Sequence, residues 1–197
     1  MAVLRRLRSP RHVQDFLDGL AYRTEDAPAC PRRVLAERRA HCFDGALFAA
    51  AALRLSGRRP LLVDLQAVRD DDHVLAVYQD RGRWGAVAKS NFTGLRFREP
   101  IHRDLRALAA SYFEDYFNLD GEKTLRNYSV PLDLSRFDRL AWTFDETHLL
   151  DIAGRLDGSR HFALLRATDD RRLRRVDGRS FRAGTLGTDM AGARSGV

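Results

Sequence analysis

The chain has 197 residues, 44% of them hydrophobic, and a formal charge of +7. That is enough apolar material for one domain with a real core, and too much for a disordered chain. No apolar run approaches the ~20 residues that span a bilayer; the longest, Gly45 to Leu53, is closed by Arg54. The opening MAVLRRLRSPRH has charge but no apolar stretch behind it. That reads as no secretory signal, and so as a cytoplasmic protein. Cys30 and Cys42 are the two cysteines. Two are too few for a disulfide framework or a cysteine-rich zinc site. The positive charge raises a nucleic-acid partner. Against it, Lys89 and Lys123 are the only lysines, so the arginine excess looks like a composition effect. From Arg166 to Arg182 seven arginines face three aspartates, so more than half of the surplus sits near the C-terminal end. Neither nucleic acid nor a membrane is expected as a partner.

In chain order, His12 to Tyr22 has apolar residues at helical spacing. Pro31 suits the first turn of a second helix, continued by Arg32 to Arg39. Residues 42–55 are apolar almost all round, which predicts a helix buried on most sides. Gly57 and Pro60 end it. Leu61 to Val68 alternates as a strand, with Leu61, Val63, Leu65 and Ala67 on one face. Asp70-Asp71-Asp72 is a polar turn. His73 to Tyr78 and Trp84 to Ala88 form an antiparallel hairpin across Gln79 to Arg83. Leu105 to Phe117 predicts a helix, Leu132 to Leu140 a short one, and Thr147 to Leu165 gives mixed signals. Residues 1–167 form the domain, and 168–197 a basic, disordered tail. The order of elements predicts an α+β fold.

Cys42 heads the buried helix. A thiol attacks as its thiolate, and an ordinary pKa of about 8.5 leaves little of it at pH 7. The positive end of a helix and a nearby imidazolium both lower that value. First-turn N–H groups also suit an oxyanion. Of the six histidines, His73 has the best context, starting an apolar strand straight after the acidic turn. A third group must orient its ring. Cross-strand parity puts Ser90 opposite His73 if the hairpin loop is even, and Lys89 or Asn91 there if it is odd. Asp72 adjoins His73, so its side chain points to the other face. Arg96 and Arg98 are candidate anion ligands. Phe92, Phe97, Tyr112, Phe113, Tyr116 and Phe117 read as core first and as groove walls second. Asp70-Asp71-Asp72-His73 holds ligand types, but neighbouring side chains rarely converge on one ion, so no metal is expected. No phosphate loop or other cofactor motif appears.

HCFDGALFAAAALRLSGRRPLLVDLQAV followed by DDHVLAVYQDRGRWGAVAKSN resembles the core of the transglutaminase-like superfamily of papain-like cysteine enzymes. The resemblance covers about Arg32 to Arg96. It implies a papain-like core, with a buried Cys-bearing helix packed on a small antiparallel sheet. Cys42 matches the nucleophile, His73 the base and Trp84 the tryptophan of the last strand. The family's aspartate falls near Ala88 or Lys89, where this chain has no acid; Ser90 or Asn91 is left to hold the ring. The implied activity is a cysteine peptidase or amidase working through a thioester on a protein, peptide or small amide. Trp84 and Arg96 are placed beside the substrate. The alternative is an inactive binding module on the same fold.

Overall fold

The computed structural model describes residues 3, 6–25, 27–166 and 168–188. Helix α1, Pro10–Asp18, starts earlier than the apolar spacing suggests. Ser9 caps it by accepting the His12 N–H at 3.2 Å, and Pro10 takes the first turn. It stops at Gly19, and the expected last turn becomes strand β1, Ala21–Tyr22. Helix α2 is Pro31–Glu37, and strand β2, Arg39–Ala40, runs parallel to β1.

Helix α3, Cys42–Leu55, agrees with its expected range. Ala46 to Leu53 are all buried, and the helix packs against α1, α2 and the sheet. Gly45 lets its first turn lie on the chain beyond the hairpin: a Cβ there would come 2.4 Å from Lys89 Cβ.

Strands β3 (Leu61–Ala67), β4 (His73–Asp80) and β5 (Arg83–Val87) follow as expected. The β4–β5 loop is Arg81-Gly82, with φ of 47° and 74°, the two-residue form whose twist suits a hairpin. Its register pairs Ala76 with Val87. Continued three residues past the last ladder pair, it sets Ser90 opposite His73.

Beyond the hairpin the structure adds strands that weak alternation hid: β6 (Arg98–His102), β7 (Leu125–Ser129), β8 (Leu132–Asp133) and β9 (His161–Ala163). All pairs in the main sheet are antiparallel, in the order β6-β5-β4-β3-β7-β9, with β8 on β3. The helix expected over 105–117 is only α4, Leu105–Ala110, then a 3₁₀ turn at Phe113–Asp115. Here Arg98 bonds Ser111 Oγ and O, while Tyr112 and Tyr116 turn inward. The expected helix at 132–140 is β8 followed by 3₁₀ helix Leu134–Leu140, and 149–157 is α5, Leu149–Asp157.

Side chains on one sheet face, including Leu62, Val74, Ala76 and Tyr78, join the α3 core. Those on the other, including Leu61, Val63, Leu65, Leu75 and Val77, pack on Leu108, Tyr112 and Tyr116. The tail expectation needs correction for residues 168–188. They hold a 3₁₀ turn at Asp170–Arg172 and helix α6, Gly178–Gly184, capped by Asp177. Phe181 meets the Phe117 ring at 5.6 Å, and Thr93 N–H donates to the Gly184 carbonyl at 2.9 Å. Few apolar residues suffice because an aromatic pair and backbone bonds do the docking. Residues 189–197 lie outside the described residues. No helix among the described residues is long and apolar enough to cross a membrane.

Candidate active site

A cleft of about 410 Å³ opens where α3 begins and β4 begins. Its walls are Tyr22 to Glu25, from the end of β1 onward, the Asp70–Asp72 turn, and the segment from Ser90. Cys42, His73, Ser90 and Asn91 all line it. The geometry follows from the chain: α3 brings Cys42 to the sheet from one face, and strand parity turns His73 toward the other. Both line the cleft at the sheet's end.

Cys42 is partly exposed. Its thiol donates weakly to the Asp72 carbonyl at 3.9 Å. Burial pushes the thiol up to about 11; the N–H groups of Val74 and Phe43 pull the other way, while Asp44 and Asp71 push further up. The helix start is held from behind. His41 Nδ1 accepts the Phe43 N–H at 3.1 Å, and Asp44, fully buried, accepts from Ala29 N–H at 2.7 Å and Arg23 Nη1 at 3.0 Å. Arg23 is itself buried, so this is a desolvated ion pair fixing the cleft wall to α3. The Cys42 N–H is a first-turn donor with no backbone partner among the described residues.

His73 is buried against Tyr112 and Tyr116, whose rings meet its own edge-on at 6.5 and 6.4 Å. Its Nε2 lies 2.8 Å from the Leu95 carbonyl. A carbonyl only accepts, so Nε2 carries the proton and Nδ1 the lone pair. Nδ1 makes no hydrogen bond among the described residues and keeps solvent access. Burial lowers the ring's pKa to about 4 against the opposing Leu95 bond, with Arg98 adding to the fall. No hydrogen bond joins Cys42 to His73 among the described residues, so both rest uncharged near neutral pH.

Neither expected orienting side chain holds the ring. Ser90 Oγ accepts the Phe92 N–H at 3.0 Å, and the Asn91 carbonyl accepts from Thr188 at 2.7 Å. The Leu95 carbonyl takes that place, and a backbone group leaves no signature in a sequence. Trp84 and Arg96 also need correction, since neither lines the cleft. Trp84 sits in β5 opposite Gln79 and His102, and Arg96 pairs with Asp18 of α1 at 3.5 Å. Arg98 reaches Ser111 and Asp115 and stacks on Tyr112 at 3.9 Å. Of the aromatics, Phe92, Tyr116 and Phe117 line the cleft, while Tyr112 is core.

Asp64, Asp72 and Asp157 bring carboxylate oxygens within 4.8 Å of one another, the one grouping of cation-ligand types among the described residues. Asp64 also meets His161 Nε2 at 3.0 Å, while His161 Nδ1 meets the Ser159 carbonyl at 2.8 Å. Burial raises the Asp64 carboxyl to about 6 despite the His161 bond.

Compared with known proteins, the chain matches no family model and no curated sequence.

Proposed function

We propose that the cleft is the active site of a cysteine-dependent amide hydrolase of transglutaminase-like type. One observation carries the reading: Nε2–H of His73 is tied to the Leu95 carbonyl, which leaves the lone pair on Nδ1, and His73 lines the same cleft as Cys42.

Cys42 Sγ attacks the amide carbon and its proton passes to Nδ1 of His73. The new oxyanion is held by the Cys42 N–H. The C–N bond breaks as Nδ1–H protonates the departing amine, leaving a thioester. Water then attacks the thioester, its proton passing to Nδ1. The C–S bond breaks, and that proton returns to sulfur as the carboxylic acid leaves. Leu95 holds the ring through both halves, as a side-chain acid or amide does elsewhere.

A burst assay with p-nitrophenyl acetate tests this. Wild type should release close to one equivalent of p-nitrophenolate rapidly, then turn over slowly. Cys42→Ala should abolish the burst, and His73→Gln should slow it by at least about a hundredfold. An undiminished burst in folded Cys42→Ala contradicts the reading. No burst in wild type favours the binding module.

A further inference from the structure

We propose that the cleft selects amide substrates carrying a primary ammonium group, with the Asp71 carboxylate as its counter-ion. This rests on Cys42 being the nucleophile and names the substrate class of that site.

The chain is cationic overall, at +7, yet this wall is acidic. Glu25, Asp70, Asp71 and Asp72 line the cleft against one guanidinium, Arg23, and no lysine. The acids differ in what they are free to do. Glu25 is paired with Arg39 at 2.7 Å and Arg23 at 3.3 Å. Arg23 is ion-paired on both sides, to Glu25 and Asp44. Asp70 accepts from Thr124 at 2.6 Å and from the Asp71 N–H at 3.1 Å. Asp72 accepts the Ala67 N–H at 2.7 Å. These bonds build the turn. The backbone of Asp71 is pinned as well, its carbonyl accepting from Tyr116 at 2.7 Å. Its carboxylate alone makes no hydrogen bond or ion pair among the described residues. It is therefore an exposed, unpaired carboxylate on a pinned backbone, on the wall of the cleft that Cys42 also lines.

Such a charge at the cleft wall draws cations and repels anions. Burial is the main reason the Cys42 thiol is raised, and the Asp71 charge adds a smaller push against the thiolate. An ammonium seated on Asp71 cancels that opposition. A cationic substrate thus eases ionisation of the group that attacks it, and a neutral or acidic one does not. The ammonium can be a peptide's α-amino group or a lysine side chain.

Methanethiosulfonates of different charge test this without requiring catalysis. Labelling of Cys42 is followed by mass spectrometry with 2-aminoethyl, methyl and 2-sulfonatoethyl reagents, each rate divided by that of free 2-mercaptoethanol. Cys42 should react about tenfold or more faster with the cationic reagent than with the anionic one. Asp71→Asn should cut that ratio at least fivefold, and the ratio at Cys30 should not respond. A ratio near one, a ratio unchanged in Asp71→Asn, or no labelling at Cys42 would overturn the proposal. Protection from the methyl reagent separates the sources: glycinamide for an α-amine, Nα-acetyl-lysinamide for a side chain. Equal protection by N-acetylglycinamide, or protection by none, also overturns it. A normal p-nitrophenyl acetate burst with a ratio near one sinks the charge selection alone. Charge selection without a burst sinks the enzyme reading alone.

Discussion

A histidine ring with little access to water gives up its charge unless a neighbour holds the proton, and His73 has only a carbonyl on one side. With its pKa near 4, the ring stays a base across the neutral range. The acid limb of kcat/KM in the p-nitrophenyl acetate reaction should then lie near pH 4 to 5, not near 6.5. A limb at 6.5 would mean that the ring is solvated. The same shift is a stability statement. The unfolded ring binds its proton at about 6.5, the folded one about 2.5 units lower. Between those values the unfolded state holds more protons, so acidification destabilises the fold. The full effect is about 3 kcal/mol at pH 4. Asp64 acts in the opposite sense, since its raised carboxyl favours the fold on the acid side and loses that as pH rises through about 6. The comparison must therefore be with His73→Gln. Urea unfolding of wild type at pH 7 and pH 4.5 should show a loss larger than the variant's by about 2–3 kcal/mol. Equal losses would contradict a buried neutral ring.

At the scale of elements, the site depends on how closely α3 approaches the end of the hairpin. Gly45 is the contact point, where an added methyl group would lie 2.4 Å from Lys89 Cβ. Gly45→Ala should cost about 1–3 kcal/mol, read as a lower urea midpoint. It should also slow acetylation of Cys42, because the first turn must move off Lys89. Unchanged stability and rate would mean that the helix start is not set by this contact. These elements were the legible ones. The all-round apolar run marked α3, and alternation with a Gly-bearing loop marked β4 and β5. Parity offered Ser90, Lys89 or Asn91 across from His73, and the two-residue loop selects Ser90. The group that orients His73 was not legible, because any residue at position 95 carries the same carbonyl. Strands β6, β7 and β9 were hidden as well. Apart from Leu125 and Ser129 their residues are half-buried or exposed, and in β6 the apolar Ile101 faces outward while Arg98 lies half-buried, so apolar and polar residues do not alternate.

At the scale of the molecule, one antiparallel sheet separates two cores, and the cleft forms at its end where both layers stop. The segment from Asp177 to Thr188 closes that end from outside. Gly184 presses on Phe117, where a Cβ would come within 2.5 Å of the ring, and Thr188 reaches the Asn91 carbonyl. A chain ending at residue 176 should lose about 1–3 kcal/mol through exposure of Phe117 and Phe92. Amide exchange should rise at residues 91–93, and the melting temperature should fall by several degrees. A truncated chain as stable as the full one would make the segment a passenger.

The most direct measurement is the location of the acyl group after p-nitrophenyl acetate, by acid quench and peptide mapping in wild type and His73→Gln. The account expects one hydroxylamine-labile acetyl group on Cys42, none on Cys30, and at least about a hundredfold slower formation in the folded variant. Equal acetylation of the two cysteines, or a Cys42 rate indifferent to His73, would contradict it.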